Sequence, residues 1–296
     1  MIRQADQKDK EKLERIWEEV LDRDDLFLDP RVLEALDAGH IWIDEEEGDM
    51  VATLTMSPYD AVISGKEVRG CYLSCLATME DYRCRGIMGR LLKTAEDYAR
   101  ASGLEALFLI PAEDSLIPYY EKKGFDRKYY YDSVMVEKRA LEKYVAGSEQ
   151  VSGKEKRSGA EKKRLPEVTC SLEELSMDEI WEFYYVGSRQ AKEDHLMYTR
   201  AQLEREIQGF LEEDFHIYAL KRDDLNVGYM LCGTVYAQNR PSSLLVVPQA
   251  LIHPDYLDDW YRCLTTFQFD QLLLQNPMGD LPGEYTRELL ALGKIL

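Results

Sequence analysis

At 296 residues the chain is long enough for two domains, since single hydrophobic cores stop growing near about 250 residues and domains commonly run about 100 to 150. Its 45% of hydrophobic residues exclude a disordered chain, and 56 Asp and Glu against 37 Lys and Arg give a formal charge of −19, which argues against a nucleic-acid partner because neutralising phosphates needs a basic face. Apolar runs fall short of the about 20 residues that span a bilayer, Met1 to Asp6 lacks a signal-peptide core, and six cysteines without a C-x-x-C pair or a Cys/His cluster read as reduced thiols; a cytoplasmic protein with no membrane partner and no metal is expected.

Met1 to Gln4 reads as a short strand and Asp6 as an N-cap. Leu13, Ile16, Trp17, Val20 and Leu21 then recur at helical spacing. Asp22 to Pro30 breaks that helix, and a short one follows through Val32, Leu33 and Leu36. His40 to Ile43 and Val51 to Ser64 read as strands, and Ser64-Gly65-Lys66 turns the second back into Val68 to Thr78, a long antiparallel hairpin. This strand runs out into Met79-Glu80-Asp81-Tyr82-Arg83-Cys84-Arg85-Gly86. From Ile87 the apolar Leu91, Leu92, Ala95, Tyr98 and Ala99 predict a helix that Gly103 caps. Such a turn is an anion site. The first N–H groups of a helix have no intrahelical acceptor, Gly86 and Gly89 remove side chains that would hold a phosphate off, and Arg83, Arg85 and Arg90 bring positive charge. Neither G-x-G-x-x-G nor G-x-x-x-x-G-K-[ST] is present, so Rossmann and Walker readings do not fit. A buried strand, Ala106 to Ile110, leads to Tyr119 and Tyr120, and a strand pair is expected around Phe125 to Val136.

Arg83-x-x-Gly86 resembles the acyl-CoA pyrophosphate loop of the GNAT N-acetyltransferase superfamily, [QR]-x-x-G-x-[GA], with Met88 where the family has Gly or Ala. The run Ala-Thr-x-x-x-Tyr-Arg-x-Arg-Gly over Ala77 to Gly86 is similar to the branch that includes the enhanced-intracellular-survival acetyltransferases. Tyr119-Tyr120-Glu121-Lys122-Lys123-Gly124-Phe125 is similar to the family's Phe-Tyr-Glu-Lys-x-Gly-Phe. The resemblance covers residues 1–139 and implies an α/β (α+β) fold, a central mixed sheet flanked by helices. It further implies acetyl-CoA as cosubstrate, transferred directly to a small-molecule or peptidic amine. Backbone groups of Leu76, Ala77 and Thr78 would hold the pantetheine, and Arg83, Cys84, Arg85, Gly86, Ile87, Met88 and Gly89 the pyrophosphate. Tyr120 would protonate the departing thiolate, while Tyr119 reads as packing and Cys84 as a small residue in a variable loop position. The helix-to-helix region would roof the acceptor site, making Asp22, Asp24 and Asp25 candidates for meeting a cationic amine; no general base is assigned.

From Lys143 to Pro166 the composition turns to Ser, Gly, Lys and Glu, so residues 140–165 are expected to be a mobile linker. Residues 166–296 restart the plan. Ser176-x-x-Glu179 is a capping box, Leu203, Ile207, Phe210 and Leu211 mark a second helix, and strands follow at His216 to Leu220, Val227 to Tyr236 and Leu244 to Ile252. His253-Pro254-Asp255-Tyr256 can be laid against Met79 to Tyr82, which predicts a diverged repeat whose helix runs through Leu272 to Leu274. Leu257, Asp258, Asp259 and Trp260 then replace Arg83, Cys84, Arg85 and Gly86. Two carboxylates would repel a diphosphate and the indole would fill the space a glycine leaves. A degenerate, truncated second domain is therefore expected, with one acyl-CoA per chain. An alternative to an enzyme is a non-catalytic acyl-CoA-binding sensor or interaction module; the oligomeric state stays open.

Overall fold

The computed structural model describes residues 1–23, 25–155, 168–172, 175–191, 193–222, 225–236 and 242–296. In chain order its strands and helices are β1 (Ile2–Gln4), α1 (Lys10–Leu21), α2 (Pro30–Asp37), β2 (Ile41–Glu46), β3 (Asp49–Ile63), β4 (Lys66–Thr78), α3 (Ile87–Ala101), β5 (Ala106–Leu109), α4 (Ile117–Glu121) and β6 (Arg127–Glu137). There follow α5 (Lys138–Glu155), β7 (Val168–Leu172), α6 (Met177–Gln190), β8 (His195–Met197), α7 (Arg200–Glu212), β9 (His216–Arg222), β10 (Leu225–Tyr236), β11 (Ser243–Ile252), α8 (Leu257–Thr265), β12 (Gln271–Gln275) and β13 (Glu284–Ile295). None of the described helices is long and apolar enough to cross a membrane.

The chain folds as two compact units, one of residues 1–129, 192–199 and 289–296, the other of residues 130–191 and 200–288. In the first unit β1, β2, β3 and β4 pair antiparallel in that order, β4 pairs β5 in parallel, and the last residues of β13 pair β5 antiparallel, Leu292 opposite Leu109 and Ile295 opposite Ala106. The apolar stripe Leu13, Ile16 and Trp17 of α1 is buried with Ile41, Ile43, Met50 and Ala77. A separate core gathers Leu91, Leu92, Ala95 and Ala99 of α3 with Leu54, Met56, Leu73, Leu107 and Leu109. A mixed sheet with helices over two cores results, because the hydrophobic stripe of each helix must find an apolar sheet face.

The second unit repeats this order. β7, β9, β10 and β11 pair antiparallel, β11 pairs β12 in parallel, and β6 pairs β12 antiparallel. A 3-10 turn at Pro254–Tyr256 leads into α8 between the parallel strands, as one at Glu80–Tyr82 leads towards α3.

Four expectations are corrected. The segment from residue 140, read as a linker, is helix as far as Glu155: Leu141 and Val145 are buried with Leu264 and Trp260, and two such residues in a polar sequence suffice for one amphipathic stripe. The rest of that segment, 156–165, lies outside the described residues. Leu272 to Leu274 is strand, since a short apolar run buried on both faces looks the same in sequence for either element. Phe125 to Val136 contributes a single strand, β6. Finally, the second half does not lack a late strand. The sixth strand of each sheet comes from outside the stretch that builds the rest of it: residues 292–295 beside β5, and residues 133–137 beside β12.

Candidate active site

The site is positioned by the end of β4. Parallel pairing with β5 runs from Gly70 opposite Ala106 to Leu73 opposite Leu109, where β5 stops. β4 continues through Thr78 and keeps β3 as its partner, Ser74 opposite Thr55, Ala77 opposite Thr53 and Thr78 opposite Ala52. Over Ser74 to Thr78 one edge of β4 has therefore lost its neighbour, and backbone groups of Leu76, Ala77 and Thr78 border the gap. The register with β3 shifts between Thr53 and Thr55, and Cys75 takes a positive φ of 50°, the mark of a β-bulge.

Beyond the 3-10 turn, Arg83 is extended and its Nε donates to the Thr78 carbonyl at 3.2 Å. Cys84 (φ 61°) and Gly86 (φ 75°) are both left-handed, and α3 starts at Ile87. A Cβ on Gly86 would meet nothing within 4 Å, so glycine is needed there for its backbone angle and not for room. The first intrahelical bond runs from Arg90 N to Gly86 O at 3.1 Å, which leaves the N–H groups of Ile87, Met88 and Gly89 with no acceptor in the helix. Met88 packs its side chain on the core beneath α3, so its size does not remove its N–H from this row. Residues 83 to 86 are all exposed.

The Arg85 guanidinium lies 4.9 Å from the Tyr82 ring centre, on the loop. Arg90 links the loop to β2, donating to the Arg85 carbonyl at 3.4 Å and pairing at 3.0 Å with Asp44, a carboxylate whose side chain is 3% exposed. Lys123 adds a further cation: its Nζ sits 3.0 Å from where a Cβ on Gly89 would be, beside the first turn of α3. Lys123 occupies the variable position of the Lys-x-Gly-Phe motif, and the motif alone gives it no meaning.

Tyr120, on the short α4, is 7% exposed and shares a core with Leu76, Tyr82, Ile87 and Met88, which brings the tyrosine segment and the glycine turn together. Its ring meets those of Tyr119 at 5.2 Å and Phe125 at 6.2 Å between centroids. Burial, with smaller contributions from Tyr119 and Tyr72, pushes its phenol up to about 12, so the hydroxyl stays protonated through the neutral range. Cys75 is pushed upward by burial, which keeps its sulfur a thiol and a poor nucleophile. Among the acidic candidates, Asp22 caps the end of α1 in a left-handed conformation and Asp25 is paired with Arg23 at 2.5 Å. Asp24 lies outside the described residues. Among the described residues no cluster of His, Cys, Asp and Glu is built to hold a metal ion.

In the second unit β11 likewise outruns β12, whose last partner is Leu274 opposite Val247. Its helix start differs from the expectation at one position. Trp260 does not stand in the anion space: it is fully buried and donates its Nε1–H to Met230 Sδ at 3.3 Å. Asp259 is paired with Arg262 at 2.5 Å.

A parallel strand pair thus parts before a bulged strand enters a basic glycine turn and a helix. Residues 6–125 match the acetyltransferase (GNAT) family, so this part of the chain is a GNAT acetyltransferase domain. No curated protein matches the sequence. Among solved structures, the chain is similar over 100% of its length to a GCN5-related N-acetyltransferase from Anabaena variabilis, with 12% identity, a TM-score of 0.71 and 71% of that chain covered. A GCN5-related N-acetyltransferase from Kribbella flavida gives the same identity and coverages at a TM-score of 0.70. Eis1 from Mycobacterium abscessus gives 12% identity and 0.67, over 100% of this chain and 73% of that one. At such identities these likenesses concern the fold.

Proposed function

We propose that this protein is an acetyl-CoA-dependent N-acetyltransferase that transfers the acetyl group directly to an amine, with residues 1–139 carrying the active site and residues 166–296 a degenerate second copy. The observation that carries the reading is the open edge of β4 at Leu76 to Thr78, running straight into the turn and helix start at Arg83 to Gly89. A pantetheine arm has amides at a spacing that suits hydrogen bonds to a free strand edge. The diphosphate at its other end fits the N–H groups of Ile87, Met88 and Gly89, near Arg83, Arg85 and Lys123. At the opposite end the thioester lies in the gap between β4 and β5.

The deprotonated amine attacks the thioester carbon, and the carbonyl oxygen takes up negative charge. Collapse expels the CoA sulfur, to which the protonated Tyr120 hydroxyl donates its proton, while the acylated nitrogen releases its extra proton to water and the phenolate takes one back from water. A covalent cysteine intermediate is not needed, and the half-buried Cys75 thiol, held protonated by burial, is unsuited to one. The acceptor is a small or peptidic amine carrying positive charge elsewhere, a preference motivated by the net charge of −19. Mass detection of acetylated products across a panel of cationic, neutral and anionic amines tests this. Best turnover with neutral or anionic amines counts against the acceptor class, and binding of acetyl-CoA without any product favours the sensor reading.

A further inference from the structure

The Cys75 bulge is held by two side chains from other elements. The Trp17 indole Nε1–H, from α1, donates to Thr53 Oγ1 at 3.0 Å, and the Thr53 hydroxyl donates to the Cys75 carbonyl at 2.8 Å. Both side chains are shut off from solvent, Trp17 at 1% and Thr53 at 0% exposure. The direction of this relay is fixed by chemistry: an indole N–H can only donate and a carbonyl can only accept, so the hydroxyl between them must accept from one and donate to the other.

The consequence lies one bond further on. Thr53 belongs to β3, so the Cys75 carbonyl is drawn towards β3. In a planar trans peptide the C=O and the following N–H point in opposite directions. The N–H of Leu76 is therefore directed away from β3, towards the edge that β5 leaves open after Leu109. A positive φ at a residue with a side chain is strained and persists only where the surroundings hold it. At Cys75 this relay fixes the carbonyl, beside the packing of the side chain on the α1 core.

We infer that Trp17 and Thr53 are positioning residues for acetyl transfer: by clamping the Cys75 carbonyl they aim the Leu76 N–H at the thioester oxygen as an oxyanion donor. The inference rests on the acetyl-transfer reading of the site. Neither residue touches substrate in this account. Both act through one peptide group.

Thr53→Val keeps the shape and removes the hydroxyl, Thr53→Ser keeps the hydroxyl and removes the methyl, and Trp17→Phe removes the first donor. Thr53→Val is expected to lower kcat by about ten- to hundredfold, somewhat less than the loss of a whole oxyanion donor, with the acetyl-CoA Kd changed by no more than about twofold. Thr53→Ser restores most of the rate, and Trp17→Phe falls between. Infrared difference spectra of bound acetyl-CoA labelled with carbon-13 at the carbonyl supply a readout that packing would not move: the wild type shifts the band to lower frequency, and Thr53→Val abolishes the shift. Wild-type kcat in Thr53→Val, or a Thr53→Ser protein as impaired as Thr53→Val, overturns the inference, as does wild-type protein that binds acetyl-CoA with no band shift. Wild-type protein that does not bind acetyl-CoA overturns the acetyl-transfer reading as well.

Discussion

Gly86 offers a perturbation whose size can be worked out beforehand. Its φ of 75° lies in the left-handed region and the space around its missing Cβ is empty, so an alanine there would meet strain and no clash. The left-handed conformation costs a residue with a Cβ about 1–2 kcal/mol. If the free protein keeps the turn, Gly86→Ala loses that amount in stability. If the exposed free loop relaxes instead, the same amount must be supplied on binding, and acetyl-CoA affinity falls by about 5- to 30-fold. The two losses together should therefore come to about 1–2 kcal/mol, divided between urea unfolding and titration calorimetry. Gly86→Asn, whose side chain tolerates this region, should lose distinctly less. Gly86→Ala unchanged in both stability and affinity would refute the reasoning, because the turn would then not require the conformation that exposes the start of α3.

Three further outcomes follow from the same structure. Tyr120→Phe should lower kcat by about 10² to 10⁴ while leaving acetyl-CoA binding nearly unchanged; an unaltered kcat removes the phenol from the mechanism. Because burial raises that phenol to about 12, its neutral form is favoured by folding. Its contribution to stability is whole below the ordinary phenol value of about 10 and is lost as pH climbs from there towards 12, so neither rate nor stability should show an alkaline limb from Tyr120 below about pH 10. Leu292→Ala, at a fully buried position beside β5, should destabilise the N-terminal unit by about 2–5 kcal/mol in urea unfolding, although the residue lies at the far end of the sequence.

The glycine turn was legible because its parts are contiguous. Strand, arginines, glycines and helical periodicity follow one another within Leu76 to Leu92, and Tyr120 sits in a motif of its own. What escaped the sequence depends on contacts between distant residues. Lys123 reaches Gly89, and Arg90 turns to Asp44, only once α3 and its neighbours are packed. The Trp17, Thr53 and Cys75 relay joins three elements, and no local spacing announces it. Trp260 was assigned to the wrong surface because laying it against Gly86 ignores which side of a helix is buried; the apolar face of α8 takes the indole inward. Exchange of the sixth strands could not be read either, since an apolar strand such as β13 declares that it needs a partner and not which one.

The most direct measurement is a calorimetric titration of the wild-type protein with acetyl-CoA, beside Arg83→Glu. The account predicts one equivalent bound per chain, and severe weakening when a carboxylate replaces the guanidinium beside the helix start. The second unit should add no site, since α8 opens with Asp258 and Asp259 where a diphosphate would have to sit. Wild-type protein that gives no heat with acetyl-CoA or CoA at millimolar concentration, or that binds two equivalents alike, would contradict it.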